Sequence, residues 1–553
     1  MTEPDWTALG ARIDALASTW AVPGGVAVVT DRQGDLYTHS FGFADVERGI
    51  RAEPHHLFEI GSISKLYTAA TLLHLVDDGK LRLDQPIGEI LTWVPPAIAG
   101  ARIDHLLQHT AGLVSGIDAV PDQVAQIAGF TGELSEAPAG SWHHYSNLGF
   151  ILAGLAVEQL TGRPLADLEQ QLIFDPLGMG DTTATVTNAD YERLARGYRA
   201  VGDDRPWLPG DPLRVADWLE VDGADGSIAQ TAGDLAVFAR MLLARGDGLA
   251  EPAVIERMIS TLAPSGEETV AITGLEPVTG SRYGLGINVE TIAGRTVLSH
   301  GGGMIGYASF LLADLDSGIG VVVLTSANGT SPIAEVIARV IAGNLVSRAM
   351  VSDLAPELWA ERGDQGDVRP RAIAAAMLGR FVAQNPDGSE HELLVVAGQH
   401  EDGLVWLQLE ADGERHALLW SWSDAVGTRH PQFGAFPLHF DGESWTWRDR
   451  VYRVAVRPAV AATGSPWIGH YRSYSPWFPN FRVVEREGVL LAISAPAVES
   501  PGDEVELVEL SPGVFRIGAD ARSPERLTFG PVIDGCAAWV DRDGCRYSRS
   551  FLD

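Results

Sequence analysis

Lysine is almost absent from this sequence: only Lys65 and Lys80 occur in 553 residues, and the other basic residues are arginines. Lysine and arginine together number 40 against 73 acidic residues, which gives a formal net charge of -33. Nucleic acids and anionic membrane surfaces both attract clustered basic side chains. The charge therefore argues against a nucleic-acid partner and against a membrane partner.

Long apolar runs are also missing. The longest candidates, such as residues 319–324, have the length of a buried strand and fall far short of a membrane-spanning helix. The first residues carry Glu3 and Asp5 where a secretory signal carries basic residues. We therefore expect no export and a cytoplasmic location.

Cysteine occurs only twice, as Cys536 and Cys545. The two flank residues 541–544, a predicted hairpin turn that would pair Val540 with Cys545 and leave Cys536 opposite Arg549. Cysteines that do not face each other cannot form a disulfide without backbone movement. Two free thiols, as in a reducing cytoplasm, are expected.

The scarce lysine at position 65 follows Ser62 by three residues. From Leu66 to Val76 the apolar residues recur at helical spacing, and Gly79 is placed to end that helix. Residues three apart share one helical face, so the Lys65 amine can reach the Ser62 hydroxyl. A desolvated lysine can accept the serine proton near neutral pH, which arginine cannot do. Because the spacing could arise by chance, its weight depends on the motifs that follow.

Tyr145 and Asn147 follow a predicted turn at residues 138–140 and precede a helix. Their side chains could project from this loop into a cleft. A phenol near Lys65 could carry the serine proton, and the Asn147 amide could bind a substrate carbonyl. The alternative is a turn tyrosine packed at a helix start, with Asn147 acting as the helix cap.

His300 comes at the end of a predicted strand at 296–299 and is followed by Gly301, Gly302 and Gly303. Glycines in such a place let another molecule approach the backbone closely, and bare N–H groups there could hold an acyl oxyanion. A glycine-rich hairpin between two core strands, with His300 merely exposed, is the alternative.

In this order and spacing, Ser62-x-x-Lys65, Tyr145-x-Asn147 and His300-x-Gly302 resemble the penicillin-binding-protein and class C β-lactamase-like serine hydrolase superfamily. Further stretches are similar to it, namely residues 106–113, 175–179 and 226–229. The similarity covers roughly the first 350 residues, and three ordered motifs are more specific than any single match.

The resemblance implies a role for each of these residues. Ser62 would attack an acyl group, Lys65 and Tyr145 would manage protons, and Asn147 would orient the substrate. The backbone N–H groups of Ser62 and Gly303 would form the oxyanion hole. Whether Lys65 or Tyr145 is the first base stays open.

One departure concerns the third motif, which begins with His300 where penicillin-recognising relatives have lysine. A histidine with an ordinary pKa of about 6.5 is mostly neutral at pH 7 and binds a carboxylate less strongly. This weakens a β-lactamase interpretation. A histidine here, joined to C-terminal β domains, resembles the D-aminopeptidases and related esterases, in which a loop of the last β domain reaches the active site.

The expected fold class is α/β (α+β), a β-lactamase/DD-peptidase-like sandwich of an antiparallel sheet and helices. A helix on residues 6–20 and a hairpin of 25–30 and 35–43 come first, and an early hairpin can share one sheet with late strands. The later strands and helix are predicted at 283–289, 296–299, 308–313, 320–325 and 333–345.

Polar linkers rich in proline and glycine are predicted after residue 352 and at 457–466. We therefore expect a catalytic domain at 1–352 and two antiparallel β-barrel-like (lipocalin-like) domains at 370–456 and 466–553. Pro476 to Asn480, with Trp477 and Phe478, is the best candidate for a loop that reaches the cleft. A loop folded back on its own domain is equally open.

These observations predict a serine hydrolase that forms an acyl-enzyme on Ser62, with amide or peptide substrates favoured and esterase activity beside them. A thioesterase or transacylase that cyclises peptides is the alternative, and a catalytically silent ligand-binding protein is an alternative of another class. Because no Cys or His group has metal-site spacing, no metal or other cofactor is predicted. The expected partner is a small-molecule or peptide acyl substrate, and a homodimer is left open.

Overall fold

The computed structural model describes most of the chain. The described stretches are residues 4–116, 122–130, 132, 134–202, 205, 211–220, 222–267, 269, 272, 275–326, 333–347, 360–362, 368–370, 375–385, 389–399, 405–411, 414–420, 425–454, 464–494 and 504–550.

The N-terminal helix forms as its apolar spacing predicts. Asp5 caps it by accepting a hydrogen bond from the Ala8 N–H, and Leu9, Ile13 and Leu16 are buried. The described α-helices are α1 Trp6–Thr19, α2 Ser64–Asp77, α3 Ile103–Leu107, α4 Gln123–Ala128, α5 Asn147–Thr161, α6 Leu165–Glu169, α7 Asp175–Leu177, α8 Ala232–Leu243, α9 Ala253–Ser260 and α10 Ile333–Val346.

An eight-stranded antiparallel sheet organises the first part of the chain, in the order β3-β2-β1-β13-β12-β11-β10-β9. The first hairpin and the late strands share this sheet as predicted, because β1 pairs with β13 with Val26 opposite Leu324. The strands up to this point are β1 Gly24–Thr30, β2 Asp35–Asp45, β3 Ile50–Arg51, β4 Phe58–Glu59, β5 Thr182–Thr183, β6 Tyr198–Ala200, β7 Leu213–Val215, β8 Ala229–Gln230, β9 Val278–Tyr283, β10 Asn288–Ile292, β11 Arg295–Met304, β12 Tyr307–Asp314 and β13 Ile319–Thr325.

Helices cover this sheet, and α2 is buried among other helices. Helices α8 and α10 pack against β12 and β13, while α2 packs against α5 and α9. Every residue of α2 from Ser64 to Leu75 is buried, and Gly79, with φ +70°, follows its end. The predicted arrangement of one antiparallel sheet covered by helices is therefore confirmed.

Two details of the predicted strands are wrong. The strand expected at 283–289 is two strands, because β9 ends at Tyr283 and β10 begins at Asn288, with Gly286 at φ +83° between them. The strand expected to end at Ser299 continues to Met304, so His300 and its glycines lie inside β11 and pair with β12.

The C-terminal part is built from antiparallel β structure, as predicted. Among the described residues it contains a nine-stranded sheet and a closed eight-stranded barrel, β25-β26-β27-β28-β29-β30-β33-β34. The strands are β14 Ala360–Arg362, β15 Val368–Pro370, β16 Gly379–Gln384, β17 Glu390–Gln399, β18 Val405–Ala411, β19 Glu414–Ala417, β20 Leu419–Trp420, β21 Ala425–Gly427, β22 Leu438–Phe440, β23 Ser444–Trp447, β24 Arg450–Arg453, β25 Gly469–Arg472, β26 Asn480–Arg486, β27 Val489–Ser494, β28 Glu504–Ser511, β29 Val514–Ile517, β30 Arg526–Phe529, β31 Val532–Ile533, β32 Cys536–Ala537, β33 Trp539–Arg542 and β34 Cys545–Arg549.

The interior of the closed barrel is filled by side chains. Tyr471, Phe481, Phe515 and Tyr547 are buried there, and Phe478 packs against the same cluster. The Phe478 carbonyl also accepts a hydrogen bond of 3.0 Å from the Tyr547 hydroxyl. At Phe478 the 476–480 loop therefore folds back on its own barrel, which is the second of the two possibilities left open by the sequence.

The register around the cysteines differs from the prediction. The hairpin turns at Asp543 and Gly544, both with positive φ, so Arg542 rather than Val540 faces Cys545. Cys536 and Cys545 do not form a disulfide with each other. The predicted turn was two residues too long because Asp541 and Arg542 still belong to β33.

The described residues cluster into two compact units. The first comprises residues within 1–199, 214–351 and 522–525, and the second comprises those within 200–213, 352–521 and 526–553. Most of the two predicted linkers, at 352–359, 363–367 and 457–463, lies outside the described residues. The three domain boundaries stay a prediction. None of the helices in the described part of the chain has the length and apolar character that crossing a membrane requires.

Candidate active site

Ser62 and Lys65 meet at the start of α2. Ser62 lies in a 3₁₀ turn, Gly61–Ile63, that leads directly into the helix. Lys65 Nζ donates hydrogen bonds to Ser62 Oγ at 2.9 Å and to the Asp225 carbonyl oxygen at 2.7 Å. Lys65 is 0% exposed and Ser62 is 6% exposed. The predicted nucleophile and its predicted base are therefore in direct contact and shielded from bulk water.

The surroundings of the Lys65 amine are aromatic. Nζ lies 5.0 Å from the centre of the Tyr145 ring and 5.7 Å from that of Phe150. Burial raises the pKa of the Asp225 carboxyl, although the charge of Lys65 acts in the opposite direction. Asp225 contributes its backbone carbonyl to the amine, and this fixes the direction in which Nζ points.

The loop that carries Tyr145 and Asn147 is held by backbone hydrogen bonds. Ser146 caps α5, since its Oγ accepts from the Gly149 N–H, and the same Oγ donates to the Val114 carbonyl at 2.7 Å. The Asn147 N–H donates to the Ser115 carbonyl at 2.6 Å. Ser146, not Asn147, is therefore the helix cap, which leaves the Asn147 side chain to other partners.

The glycines of β11 are needed because the Ser62 turn packs directly on this strand. A Cβ atom on Gly302 would lie 1.8 Å from the Ile60 carbonyl oxygen, and one on Gly61 would lie 2.4 Å from the Gly303 oxygen. Gly61 also has φ +52°, a conformation that favours glycine. Ser309 secures the contact by donating from Oγ to the Ile60 carbonyl at 2.8 Å. The Gly303 backbone thus lies beside Ser62, where an oxyanion hole would form.

His300 is buried, and both of its ring nitrogens have partners. Nδ1 lies 2.6 Å from the Gly301 carbonyl oxygen, an acceptor, so Nδ1 carries the proton. Nε2 therefore accepts, and the Tyr283 hydroxyl donates to it at 2.7 Å. Burial, with a smaller contribution from the Lys65 charge, lowers the pKa of His300 to about 3. His300 is thus a neutral residue held inside the site, not an exposed one.

Glu525 also reaches this region, within the first compact unit. Its Oε1 lies 2.6 Å from His144 Nε2 and accepts from both the N–H and the Oγ of Ser115 at 3.3 Å. Burial alone would raise the pKa of Glu525, but the hydrogen bond and charge of His144, together with Ser523, lower it to about 2. Ser115 therefore joins Glu525 to Asn147, because its carbonyl accepts the Asn147 N–H.

The sequence predicted that Ser62, Lys65, Tyr145, His300 and the adjacent glycines lie in one site. It did not predict the other residues that contact them. Asp225 directly precedes the stretch 226–229 that resembles the superfamily, so its position was a usable signal. Tyr283 was predicted only as the start of a strand. Glu525 gave no signal, because it lies 381 residues from its partner His144 along the chain.

No group of three or more His, Cys, Asp or Glu side chains within the described stretches is arranged to hold a metal ion. The neighbouring histidines have other contacts. His143 lies edge-on to His109 at 5.7 Å, and His144 stacks on Trp142 at 4.7 Å. Burial first, and His144 second, lowers the pKa of His143 to about 4.

Comparison with known proteins gives a family match over most of the first unit. A family model described as Beta-lactamase matches residues 11–344. The esterase EstB of Burkholderia gladioli is 31% identical over 250 residues, which are 40% of this chain and 61% of that protein. A D-aminopeptidase of Gluconobacter oxydans (strain 621H) is 26% identical over 343 residues, which are 59% of this chain and 60% of that protein. The chain thus spans less than two thirds of the length of either relative.

One solved structure extends the likeness beyond the family match. The octameric penicillin-binding protein homologue from Pyrococcus abyssi aligns over 81% of this chain and 100% of that chain. The TM-score is 0.55 and the sequence identity is 20%. At this identity the likeness concerns the fold alone.

Proposed function

The chain belongs to the Beta-lactamase family of serine hydrolases, and from this premise we propose that it hydrolyses amide or peptide bonds, with accompanying esterase activity, through an acyl-enzyme on Ser62. The observation that carries the proposal is the 2.9 Å contact between the buried Lys65 amine and the Ser62 hydroxyl. A buried amine beside a hydroxyl is one arrangement in which an adjacent base can activate a serine nucleophile.

The reaction would run in two halves. Ser62 Oγ attacks the substrate carbonyl while its proton passes to Lys65 Nζ, either directly or through Tyr145. The N–H groups of Ser62 and Gly303 hold the oxyanion, which collapses and releases the amine or alcohol with the transferred proton. Water then attacks the ester on Ser62, gives up a proton to the same base, and regenerates the hydroxyl.

The proposed substrate class follows from the protonation state of His300. Penicillin-recognising relatives place a lysine there, whereas His300 is neutral, buried and hydrogen-bonded to Tyr283 and Gly301. Such a residue offers no cation to a substrate carboxylate, so we propose substrates that lack this requirement, such as aminoacyl amides and esters. The D-aminopeptidase and the esterase among the relatives support this choice. In this proposal His300 holds the strand in place, and Gly302 leaves room for the Ser62 turn.

Covalent labelling tests the nucleophile. A fluorophosphonate probe should add to Ser62 in the wild-type chain and should fail to add in Ser62→Ala. Hydrolysis of a p-nitrophenyl ester should disappear in the same variant. Labelling that persists in Ser62→Ala would assign the reactive serine to another position.

Acyl transfer to an amine is the alternative within the same chemistry, because a thioesterase or transacylase would use the same acyl-enzyme. D-aminoacyl amides, p-nitrophenyl esters and peptidyl thioesters should be incubated in parallel and their products identified by mass spectrometry. We expect free acids as the main products. Cyclic or aminolysed products in excess of acids would replace the hydrolase proposal with the transacylase one.

A catalytically silent ligand-binding protein is the alternative of another class. It would have its ligand in the β domains, yet the interior of the closed barrel is occupied by Tyr471, Phe481, Phe515 and Tyr547. An eight-stranded barrel has an interior just wide enough for such side chains. Absence of labelling at neutral and alkaline pH would favour this alternative.

The remaining expectations are carried as proposals. They comprise a small-molecule or peptide acyl substrate, no nucleic-acid or membrane partner, a cytoplasmic location and three domains. A homodimer is left open beside these proposals. Light scattering coupled to size-exclusion chromatography of the full chain would decide whether it forms.

A further inference from the structure

His109 accepts hydrogen bonds from the two residues that flank Tyr145 in the sequence. The His144 N–H donates to the His109 carbonyl oxygen at 2.7 Å, and the Ser146 N–H donates to the His109 ring at Nδ1 at 3.0 Å. One residue thus accepts a hydrogen bond from the amide on either side of Tyr145. The backbone that carries the phenol has little freedom to move while both bonds are intact.

The His109 ring also contacts the Tyr145 side chain directly. The two ring centres are 4.2 Å apart with 33° between their planes, and on another side the Tyr283 ring lies 4.7 Å away. His109 is 1% exposed and has φ +55°, a left-handed backbone that is unfavourable for histidine. The fold keeps a strained backbone here, and this conformation lets the carbonyl and the ring face the same loop.

The protonation state of the ring is determined by its partners. Because Nδ1 accepts the Ser146 N–H, the proton of the neutral ring is on Nε2. Burial is the main cause that lowers the pKa of His109 well below its ordinary value, and the charge of Lys65 acts in the same direction. Nε2 is buried with no hydrogen-bond partner among the described residues. An apolar aromatic residue at this position would avoid the cost of that buried N–H, but it could not accept the hydrogen bond from the Ser146 N–H.

We propose that His109 is a positioning residue for Tyr145, holding the phenol against Lys65 during acylation of Ser62. It acts through Tyr145 and does not itself touch the substrate. This inference rests on the proposed function, since it assumes that Tyr145 takes part in proton transfer. The stretch 106–113 gains a mechanistic role by this assignment.

Two substitutions distinguish the role of the His109 Nδ1 acceptor from the effect of the strained His109 backbone. His109→Phe keeps a planar ring but leaves the Ser146 N–H without its acceptor. His109→Asn suits the left-handed backbone, which asparagine tolerates, but removes the ring from Tyr145. His74→Phe is the matched control, because His74 is also a buried histidine and lies on α2 away from Tyr145.

The measurement is the rate of Ser62 labelling by a fluorophosphonate, together with kcat and KM for a p-nitrophenyl ester, in wild-type and Tyr145→Phe backgrounds. Misplacement of a reacting group by about 1 Å costs about 100-fold in rate, so we expect labelling and kcat to fall by about 10- to 100-fold with KM nearly unchanged. In the Tyr145→Phe background the same substitutions should change the rate by less than about threefold, because the group that His109 positions is already gone. His74→Phe should label at the wild-type rate.

Other outcomes would overturn the inference in distinguishable ways. Equal rate losses in both backgrounds, or wild-type kcat in His109→Asn at unchanged thermal stability, would show that His109 does not act through Tyr145. If the wild-type chain itself neither labels nor hydrolyses ester or amide, the proposed function fails and this inference falls with it.

Discussion

At the scale of single residues, the site depends on buried polar groups and on the partners that surround them. Lys65 is enclosed between Ser62, the Asp225 carbonyl and two aromatic rings, while His300 is kept neutral. A lysine in such a place can lose its proton, whereas an arginine cannot. The near absence of lysine elsewhere makes the second lysine of the chain, Lys80, a natural control.

Lys65→Arg should be nearly inactive although it preserves the positive charge. Removing a positioned acid-base group costs about 10²–10⁴-fold in kcat, and we expect a loss in that range. The measurement is kcat/KM for a p-nitrophenyl ester alongside thermal stability. Lys80→Arg, which alters an exposed lysine paired with Asp78, should behave as wild type. Wild-type rates in Lys65→Arg would remove this residue from the mechanism.

The buried histidines predict a loss of stability in mild acid. The folded pKa is about 3 for His300 and about 4 for His143, mainly because of burial, against about 6.5 in the unfolded chain. Below pH 6.5 the unfolded chain binds protons that the folded chain does not, so stability falls as the pH falls towards these values. At pH 5 each histidine should cost about 2 kcal/mol.

Urea unfolding at neutral pH and near pH 5 would measure this effect. His143→Gln should lose less stability between the two conditions than the wild-type chain, by about 2 kcal/mol. His55→Gln, at an exposed histidine, should leave the difference unchanged. Equal losses in His143→Gln and wild type would mean that His143 is not held neutral in the folded chain.

At the scale of elements, the contact between β11 and the turn before α2 builds the site. The strand continues through the glycines because β12 pairs with it as far as Tyr307. The Gly61–Ile63 turn then packs on it so closely that Gly302 cannot carry a side chain. A strand that ended at Ser299, as predicted from the sequence, would lack the pairing with β12 that holds the Gly303 backbone in place beside Ser62.

Gly302→Ala should disrupt the site while Gly301→Ala should not. A Cβ on Gly302 meets the Ile60 carbonyl oxygen at 1.8 Å, whereas one on Gly301 meets only a Phe310 ring carbon at 3.7 Å, an ordinary contact. Overpacking costs about 1–3 kcal/mol, and the displaced Ser62 turn should reduce labelling about 100-fold. Labelling rates and unfolding free energies of the two variants give the comparison. Similar behaviour of both would indicate that the turn can move away without consequence.

At the scale of the whole molecule, one compact unit is assembled from stretches far apart along the chain. Residues 522–525 cluster with residues within 1–199 and 214–351. The Ser135 Oγ donates to the Arg522 carbonyl at 2.5 Å, the Arg522 guanidinium lies 5.0 Å from the Trp142 ring centre, and Glu525 contacts His144 and Ser115. The segment therefore supports the loop that carries Tyr145 and Asn147.

Glu525→Gln should weaken this support. Replacing the carboxylate beside His144 should cost about 1–3 kcal/mol near pH 7, the scale of a buried hydrogen bond to a charged group. Because the folded pKa of Glu525 is lowered to about 2, its contribution is present above about pH 4.5 and is lost as the pH falls towards 2. Substrate preference should also change, since Ser115 links Glu525 to the Asn147 N–H.

Unfolding free energies, and the ratio of kcat/KM between a short and a long aminoacyl amide, would test the role of Glu525. Glu506→Gln, at an exposed carboxylate, is the matched control. A Glu525→Gln variant with the stability and substrate ratio of Glu506→Gln would show that the 522–525 segment is not needed at the site.

The sequence by itself determined the fold class and the contact between Ser62 and Lys65. The helical period after Ser62 puts Lys65 one turn further along the same face, and this local geometry needs no tertiary information. The strand patterns with an early hairpin predicted one shared antiparallel sheet, because buried strands have a recognisable composition. The motifs with Tyr145, Asn147 and His300 came from resemblance, and the structure brings their segments together.

Only the tertiary structure decided the protonation state of His300, the role of Ser146 as the helix cap and the contacts of Glu525 with His144 and Ser115. A pKa depends on burial and on neighbouring charges, which no local pattern contains, so His300 could be given only its ordinary value from sequence. The contact of Tyr283 with His300 spans 17 residues and joins strands β9 and β11, and that of Glu525 with His144 spans 381 residues. Such contacts arise from the packing of whole elements, and for this reason they were not readable from the sequence.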